Sequence, residues 1–142
     1  MSRHTVREVT SLADVRGIVR LYAKVWPGSF GIVDLLGSDA ACLLLHEEPD
    51  SVAGYCFVEL DPARGFAELQ DIAVDPEHRR RGLGALLLGE VQLRYDAVKL
   101  IAEASRPSLL RFYERAGFTV ESVIENYYAI GRDGARMSWR RV

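Results

Sequence analysis

The stretch FAELQDIAV-DPEHRRRGLG-ALLLGEVQL, residues 66–93, constrains this chain most: a strand-like apolar run passes through two glycines into a helix-like one. Strand, glycine loop, helix is a backbone arrangement suited to an anion. The first N–H groups of a helix have no internal partner, and the helix dipole adds positive potential there. Gly82 and Gly84 remove side chains that would hold a diphosphate away from those donors, and Arg79, Arg80 and Arg81 add charge. Common nucleotide loops do not fit. No Lys-Ser/Thr pair follows the glycines, and Leu87 stands where G-x-G-x-x-G needs its third glycine.

Around this centre the hydropathy pattern reads as one domain over residues 1–142, without repeats or linkers. HTVREVT (4–10) alternates as an edge strand. Residues 11–26 read as an amphipathic helix, opened by an S-x-x-D cap at Ser11 and Asp14, with Val15, Ile18, Val19, Tyr22 and Val25 as its apolar stripe. A short helix is expected around Val33–Leu36. Residues 41–48 and 52–60 form a hairpin pattern about the turn Pro49-Asp50-Ser51, and 66–74 adds a third strand. Gly82–Asp96 reads as a helix with Leu83, Leu87 and Val91 on one face and Glu90–Arg94 as an outward pair. A strand at 98–104 and a helix from Pro107 follow, the helix closed by Gly117 as a left-handed cap with Phe118 behind it. Strands at 118–128 and 135–142, joined by a turn at Gly131–Gly134, end the pattern. The order β-α-α-β-β-β-α-β-α-β-β implies an α+β domain with a mostly antiparallel sheet.

Composition narrows the function. With 142 residues and 49% hydrophobic content the chain can bury a core without disulfides or metal, so no metal is expected. Its net charge of −2 argues against a nucleic-acid partner. Positive charge is nearly all arginine, because lysine occurs only at Lys24 and Lys99. Cys42 and Cys56 lack metal or redox spacing and read as small buried hydrophobes, although a bridge across the hairpin is open to them. No signal peptide is evident and no apolar run approaches the ~20 residues of a membrane span, so a cytoplasmic protein without membrane partners is expected.

V-D-P-E-H-R-R-R-G-L-G resembles motif A of the GNAT superfamily of acetyl-CoA-dependent N-acetyltransferases, R/Q-x-x-G-x-G/A, with Arg79, Gly82 and Gly84 at the defining positions. The resemblance implies the GNAT fold, a mixed, mostly antiparallel sheet of about seven strands with about four helices. It implies acetyl-CoA as co-substrate, with the backbone of Ile72, Ala73 and Val74 pairing with pantetheine and residues Arg79, Arg80, Arg81, Gly82, Leu83 and Gly84 cradling the pyrophosphate. LRFYERAGF (110–118) is similar to motif B, which puts Tyr113 near the cofactor sulfur as proton donor to the leaving thiolate. A phenol of pKa about 10 is protonated at neutral pH and can donate.

Tyr127 and Tyr128, followed by DGARM (133–137), resemble the C-terminal hairpin of the branch that acetylates protein N-termini, ribosomal-protein alanine N-acetyltransferases included. There the tyrosine pair helps form the acceptor groove. Two positions depart from that branch. Ile101 replaces its catalytic glutamate, twelve residues before Tyr113, and Arg106 replaces the asparagine that binds pantetheine. Glu103, two residues beyond Ile101 on the same strand face, is one substitute base. Glu68, eleven residues before Arg79, matches the base of the histone acetyltransferase branch; strand parity gives it the same face as Gln70 and Ile72. Neutralising an α-amine of pKa near 7.7–8.0 at pH 7 costs about 1 kcal/mol, against over ~4 kcal/mol for lysine, so a missing glutamate favours an α-amine acceptor. The expected activity is direct acetyl transfer to a primary amine, most simply a protein or peptide N-terminus, by a monomer or homodimer. A small-molecule amine acceptor and a non-catalytic acetyl-CoA-binding module remain the alternatives.

Overall fold

The computed structural model describes residues 4–47, 51–79 and 81–142. Seven strands and four helices alternate as β1 (His4–Glu8), α1 (Leu12–Val25), α2 (Gly31–Leu36), β2 (Ala41–Glu47), β3 (Ser51–Asp61), β4 (Phe66–Val74), α3 (Leu83–Arg94), β5 (Ala97–Glu103), α4 (Pro107–Arg115), β6 (Thr119–Ala129) and β7 (Arg132–Arg140). Most of the expected turn between β2 and β3, Pro49-Asp50, lies outside the described residues. The strands form one sheet in the order β1-β2-β3-β4-β5-β7-β6. Every junction is antiparallel except β4–β5.

Two apolar cores sandwich the sheet. Leu83, Leu87, Leu88 and Val91 of α3 pack with Leu69, Val98, Leu100, Tyr113 and Met137 on one face. On the other, Ile18, Leu21 and Tyr22 of α1 and Ile32 of α2 pack on Tyr55, Phe57 and Ala73. Cys42 and Cys56 are free thiols, and they belong to opposite cores, which excludes a bridge between them in this fold.

The α1 stripe differs from expectation at one position. Val19 is 40% exposed, while Leu21 is buried. Asp14, Ile18, Leu21, Tyr22 and Val25 are spaced 4-3-1-3, the i, i+4, i+7 rhythm of a helix face, and Val19 lies off it. The last hairpin also turns earlier than expected: Ile130 and Gly131 form the turn, and β7 starts at Arg132.

Asp14 anchors α1. Its side chain completes a capping box with Ser11, whose hydroxyl accepts from the Asp14 amide at 3.1 Å. Arg7 from β1 grips both carboxylate oxygens at 2.8 and 2.7 Å, and the Thr10 amide adds a bond of 2.9 Å. These partners, the Arg7 hydrogen bond first, hold the Asp14 carboxyl well below the usual carboxylate range.

The β4–β5 junction is what positions a site. It pairs only Ala67 with Val98 and Glu68 with Lys99, although both strands continue for several residues. Just beyond the pairing, β4 bulges: Phe57 stands opposite Asp71 and Val58 opposite Leu69, leaving Gln70 as the extra residue. A bulge bends its strand and increases the local twist. β4 therefore swings away from β5 and leaves a slot between them.

Asp14→Asn should lower stability by about 2 kcal/mol at neutral pH through loss of charged hydrogen bonds. The depressed pKa gives the sign of the pH effect. The contribution is present above the unfolded value of about 3.9 and shrinks as pH falls below it. Urea denaturation of both proteins should show the gap narrowing in acid; a gap that widens would contradict this.

Candidate active site

Two cavities meet at the slot. One, of about 650 Å³, lies on the α3 face between the end of β4, the start of α3 and α4, lined by Ile72, Val74, Arg79, Gly82, Gly84 and Phe112. The other, of about 410 Å³, lies between the diverging strands, lined by Asp71 and Ile72 from β4, Ile101 and Glu103 from β5, and Arg106, Tyr128 and Arg132. Ile72, Leu109 and Tyr113 line both cavities.

The first cavity is a cradle with open backbone donors. Gly82 caps α3 with φ 74°, a left-handed conformation that favours glycine, and no side chain caps the helix. Its missing Cβ would point into open space, whereas a Cβ on Gly84 would lie 3.2 Å from the Phe112 ring. Gly82 thus opens the cradle, and Gly84 lets α3 approach α4. Asp75 donates its amide to Ala53 O across β3 at 2.8 Å. By strand alternation the polar backbone groups of Val74 and Ile72 point the opposite way, into the gap, while those of Ala73 face β3. Leu83 is 5% exposed and serves the core with its side chain. The Arg79 side chain lines the cradle; Arg81 instead approaches His78 Nδ1 at 3.3 Å, and Arg80 lies outside the described residues. Arg115 and His78 also line this cavity, and neither followed from the sequence pattern.

Tyr113 is 6% exposed and packs edge-on between Phe112 and Phe118. Among the described residues no hydrogen-bond partner is seen for its hydroxyl. Burial, then the nearby Asp71 charge, raises its pKa well above that of a free phenol. Its proton is therefore secure at neutral pH, and the residue lines both cavities.

The two expected carboxylates fare differently. Glu68 sits on the paired base of the slot, opposite Glu59 and beside Lys99, and lines neither cavity. The bulge also separates it from Ile72: Gln70 stays on the face of Glu68, bonding Glu59 at 3.1 Å, while Ile72 turns to the α3 core. Glu103 does line the second cavity. Arg132 binds it through Nε at 3.1 Å and Ser105 through its hydroxyl at 2.8 Å, and these partners, Arg132 first, keep its carboxyl ionised below the usual range. Arg106 lines the cavity between the strands, not the cradle.

Tyr128 reaches this cavity through a second irregularity. Ile124 pairs with Gly134 and Ala129 with Arg132, so Glu125–Tyr128 oppose Asp133 alone. Asn126 turns the chain with φ 54°, accepts the Gly131 amide on its own Oδ1 at 2.8 Å, and donates its backbone amide to Asp133 Oδ1 at 2.9 Å. The excursion lets the Tyr128 hydroxyl donate to Ile101 O on β5 at 3.1 Å, with Tyr127 stacked edge-on at 5.0 Å. Tyr127 and Tyr128 are 50% and 42% exposed, and Tyr128 lines the second cavity with Tyr127 beside it.

Asp71 is the residue that sequence spacing missed. The bulge turns it to the α1 face, where the hydroxyl of fully buried Tyr55 donates to Oδ2 at 2.8 Å. The signal was present in FAELQDIAV: apolar Ala67 and Leu69 keep one phase, Ile72 and Val74 the other, and the slip marks the extra residue.

Comparison with known proteins agrees with this geometry. Residues 38–120, more than half of the chain, match the acetyltransferase (GNAT) domain family. Over 97 residues the chain is 34% identical to mycothiol acetyltransferase of Kineococcus radiotolerans, covering 66% of this chain and 31% of that protein. It thus spans about a third of the length of such curated relatives. A GNAT-family protein from Desulfovibrio desulfuricans superposes with TM-score 0.82 at 25% identity, over 97% of this chain and 99% of the other. The ribosomal-protein-S18-alanine N-acetyltransferase of Escherichia coli superposes with TM-score 0.80 at 23% identity, over 97% and 94%.

Gly134 makes the Tyr127–Tyr128 excursion packable. A Cβ there would lie 2.8 Å from Ile101 Cγ2 and 3.0 Å from Tyr127 Cβ. Gly134→Ala should cost about 1–3 kcal/mol by overpacking, read as a lower urea midpoint; an unchanged midpoint would show that the hairpin is not held this way.

Proposed function

Because the chain belongs to the GNAT acetyltransferase family, we propose that it transfers an acetyl group from acetyl-CoA to a primary amine. The observation that carries this reading is buried Tyr113, which lines two cavities, one shaped as an anion cradle and the other open to an acceptor. Acetyl-CoA supplies the acetyl group as a thioester. The α3 N-terminus and Arg79 are suited to its diphosphate, and the open edge of β4 at Val74 and the Ile72 carbonyl to its pantetheine amides. Ala73 takes part through the strand that carries these groups. The slot between β4 and β5 would bring the reactive end to Tyr113, which donates its proton to the leaving sulfur.

The acceptor we favour is a peptide α-amine. Its pKa near 7.7–8.0 makes the neutral form accessible at pH 7. Exposed Tyr128, which lines the cavity, and Tyr127 beside it offer side-chain surface to an acceptor, and Arg106 is placed to meet acceptor or pantetheine carbonyl groups. Similarity to mycothiol acetyltransferase favours a second reading, a small-molecule amine. The free thiols Cys42 and Cys56 fit work in the reducing cytoplasm.

Thiol release from acetyl-CoA, measured over a panel of peptides with free and blocked N-termini and of small amines, decides the acceptor. Turnover confined to free N-termini is expected; turnover only with small amines would select the second reading. Tyr113→Phe should lower turnover ten-fold or more with acetyl-CoA affinity little changed. Gly82→Asp should abolish acetyl-CoA binding in calorimetry, because it adds bulk, left-handed strain and negative charge to the cradle.

A further inference from the structure

We propose that Asp71 is the catalytic base, taking the proton from the acceptor amine on the α1 side of the slot. This rests on the acetyl-transfer reading above and adds the residue that sequence spacing did not identify. Three observations carry it. Asp71 lines the cavity between β4 and β5, the same cavity that Tyr113 lines from the cofactor side. Its orientation is produced by the Gln70 bulge; without that extra residue the strand would turn it to the α3 face. Its carboxylate is held, not neutralised: Tyr55 donates to Oδ2 at 2.8 Å and the Ile72 amide also bonds it, but no cation pairs with it among the described residues. A carboxylate held by neutral donors and paired with no cation keeps a site for a proton.

The rival carboxylates lack one of these properties. Glu103 is committed to Arg132, and Glu68 lies outside the cavity. Burial pushes the Asp71 carboxyl upward, and the Tyr55 and Ile72 bonds offset only part of that rise. Other titratable groups act on it as well. Tyr55 and Cys56 of β3, Cys42 of β2 and Tyr113 of α4 are all neutral at pH 7, their pKa values raised chiefly by burial. Around the same cavity stand the Glu103–Arg132 pair, Tyr128 of β6 and Arg106 at the start of α4.

The step balances as follows. The acceptor ammonium gives one proton to an Asp71 oxygen, which later passes it to solvent. The neutral nitrogen forms a C–N bond to the acetyl carbon as the C–S bond breaks. The departing sulfur takes the Tyr113 proton, and the phenolate regains one from the nitrogen, leaving amide and thiol.

The test uses the full chain at saturating acetyl-CoA, with the best amine from the panel. Asp71→Asn should lower kcat/KM for the amine about 100-fold or more near pH 7, with acetyl-CoA affinity within two-fold of wild type. The deficit should shrink as pH rises and the amine arrives already neutral. Tyr55→Phe removes a bond that favours the carboxylate, so the acidic limb of kcat/KM should move to higher pH. Asp71→Asn activity within three-fold of wild type across pH would overturn the assignment, as would a Tyr55→Phe profile with an unmoved limb. A wild type that binds acetyl-CoA yet acetylates no amine would overturn the functional reading and this one with it.

Discussion

Two residue pairs join β4 to β5, and the rest of the site depends on the pairing stopping there. Had the ladder continued, the polar groups of Ile72 and Val74 would be spent on β5 and no slot would cross the sheet. The stop is enforced locally. Gln70 is one residue too many for the β3 register, and a strand that carries a bulge must bend. The backbone opened by that bend is stabilised elsewhere, by the α3 core on one side and the Tyr55–Phe57–Ala73 cluster on the other.

The same bulge distributes charge. Before it, Glu68 faces the paired base of the slot; after it, Asp71 faces the cavity, bonded to Tyr55. Glu103 reaches the cavity from β5 but is tied to Arg132, so its role there is to hold the β5–β7 end in shape. Lys24, at the end of α1, bonds Asp75 at 2.9 Å and Glu77 at 3.1 Å, joining the α1 layer to the loop that leads into the cradle. The β4 side of the slot is therefore braced from α1 and the β5 side from β7.

Much of this was legible in the residues. The Ser11–Asp14 cap, the Gly82 loop, the Leu83–Leu87–Val91 face and the left-handed Gly117 all follow from local rules, because one or two residues fix each of them. The element order followed from hydropathy period. What escaped depends on register between distant strands. Asp71 was hidden by an assumed unbroken alternation, although the phase slip from Leu69 to Ile72 is written in the strand. The excursion at Glu125–Tyr128 carries no such mark: Asn126 alone hints at it, and its partner Asp133 is known only once β6 meets β7.

The central claim is that β4 beyond Glu68 offers open backbone to the cofactor. Amide hydrogen exchange with and without acetyl-CoA tests it most directly. The Val74 amide and the first turn of α3 should slow on binding, while Ala67 and Glu68, already on the paired stretch, should not change. Protection that falls elsewhere, or that leaves Val74 exchanging as freely as before, would contradict the account.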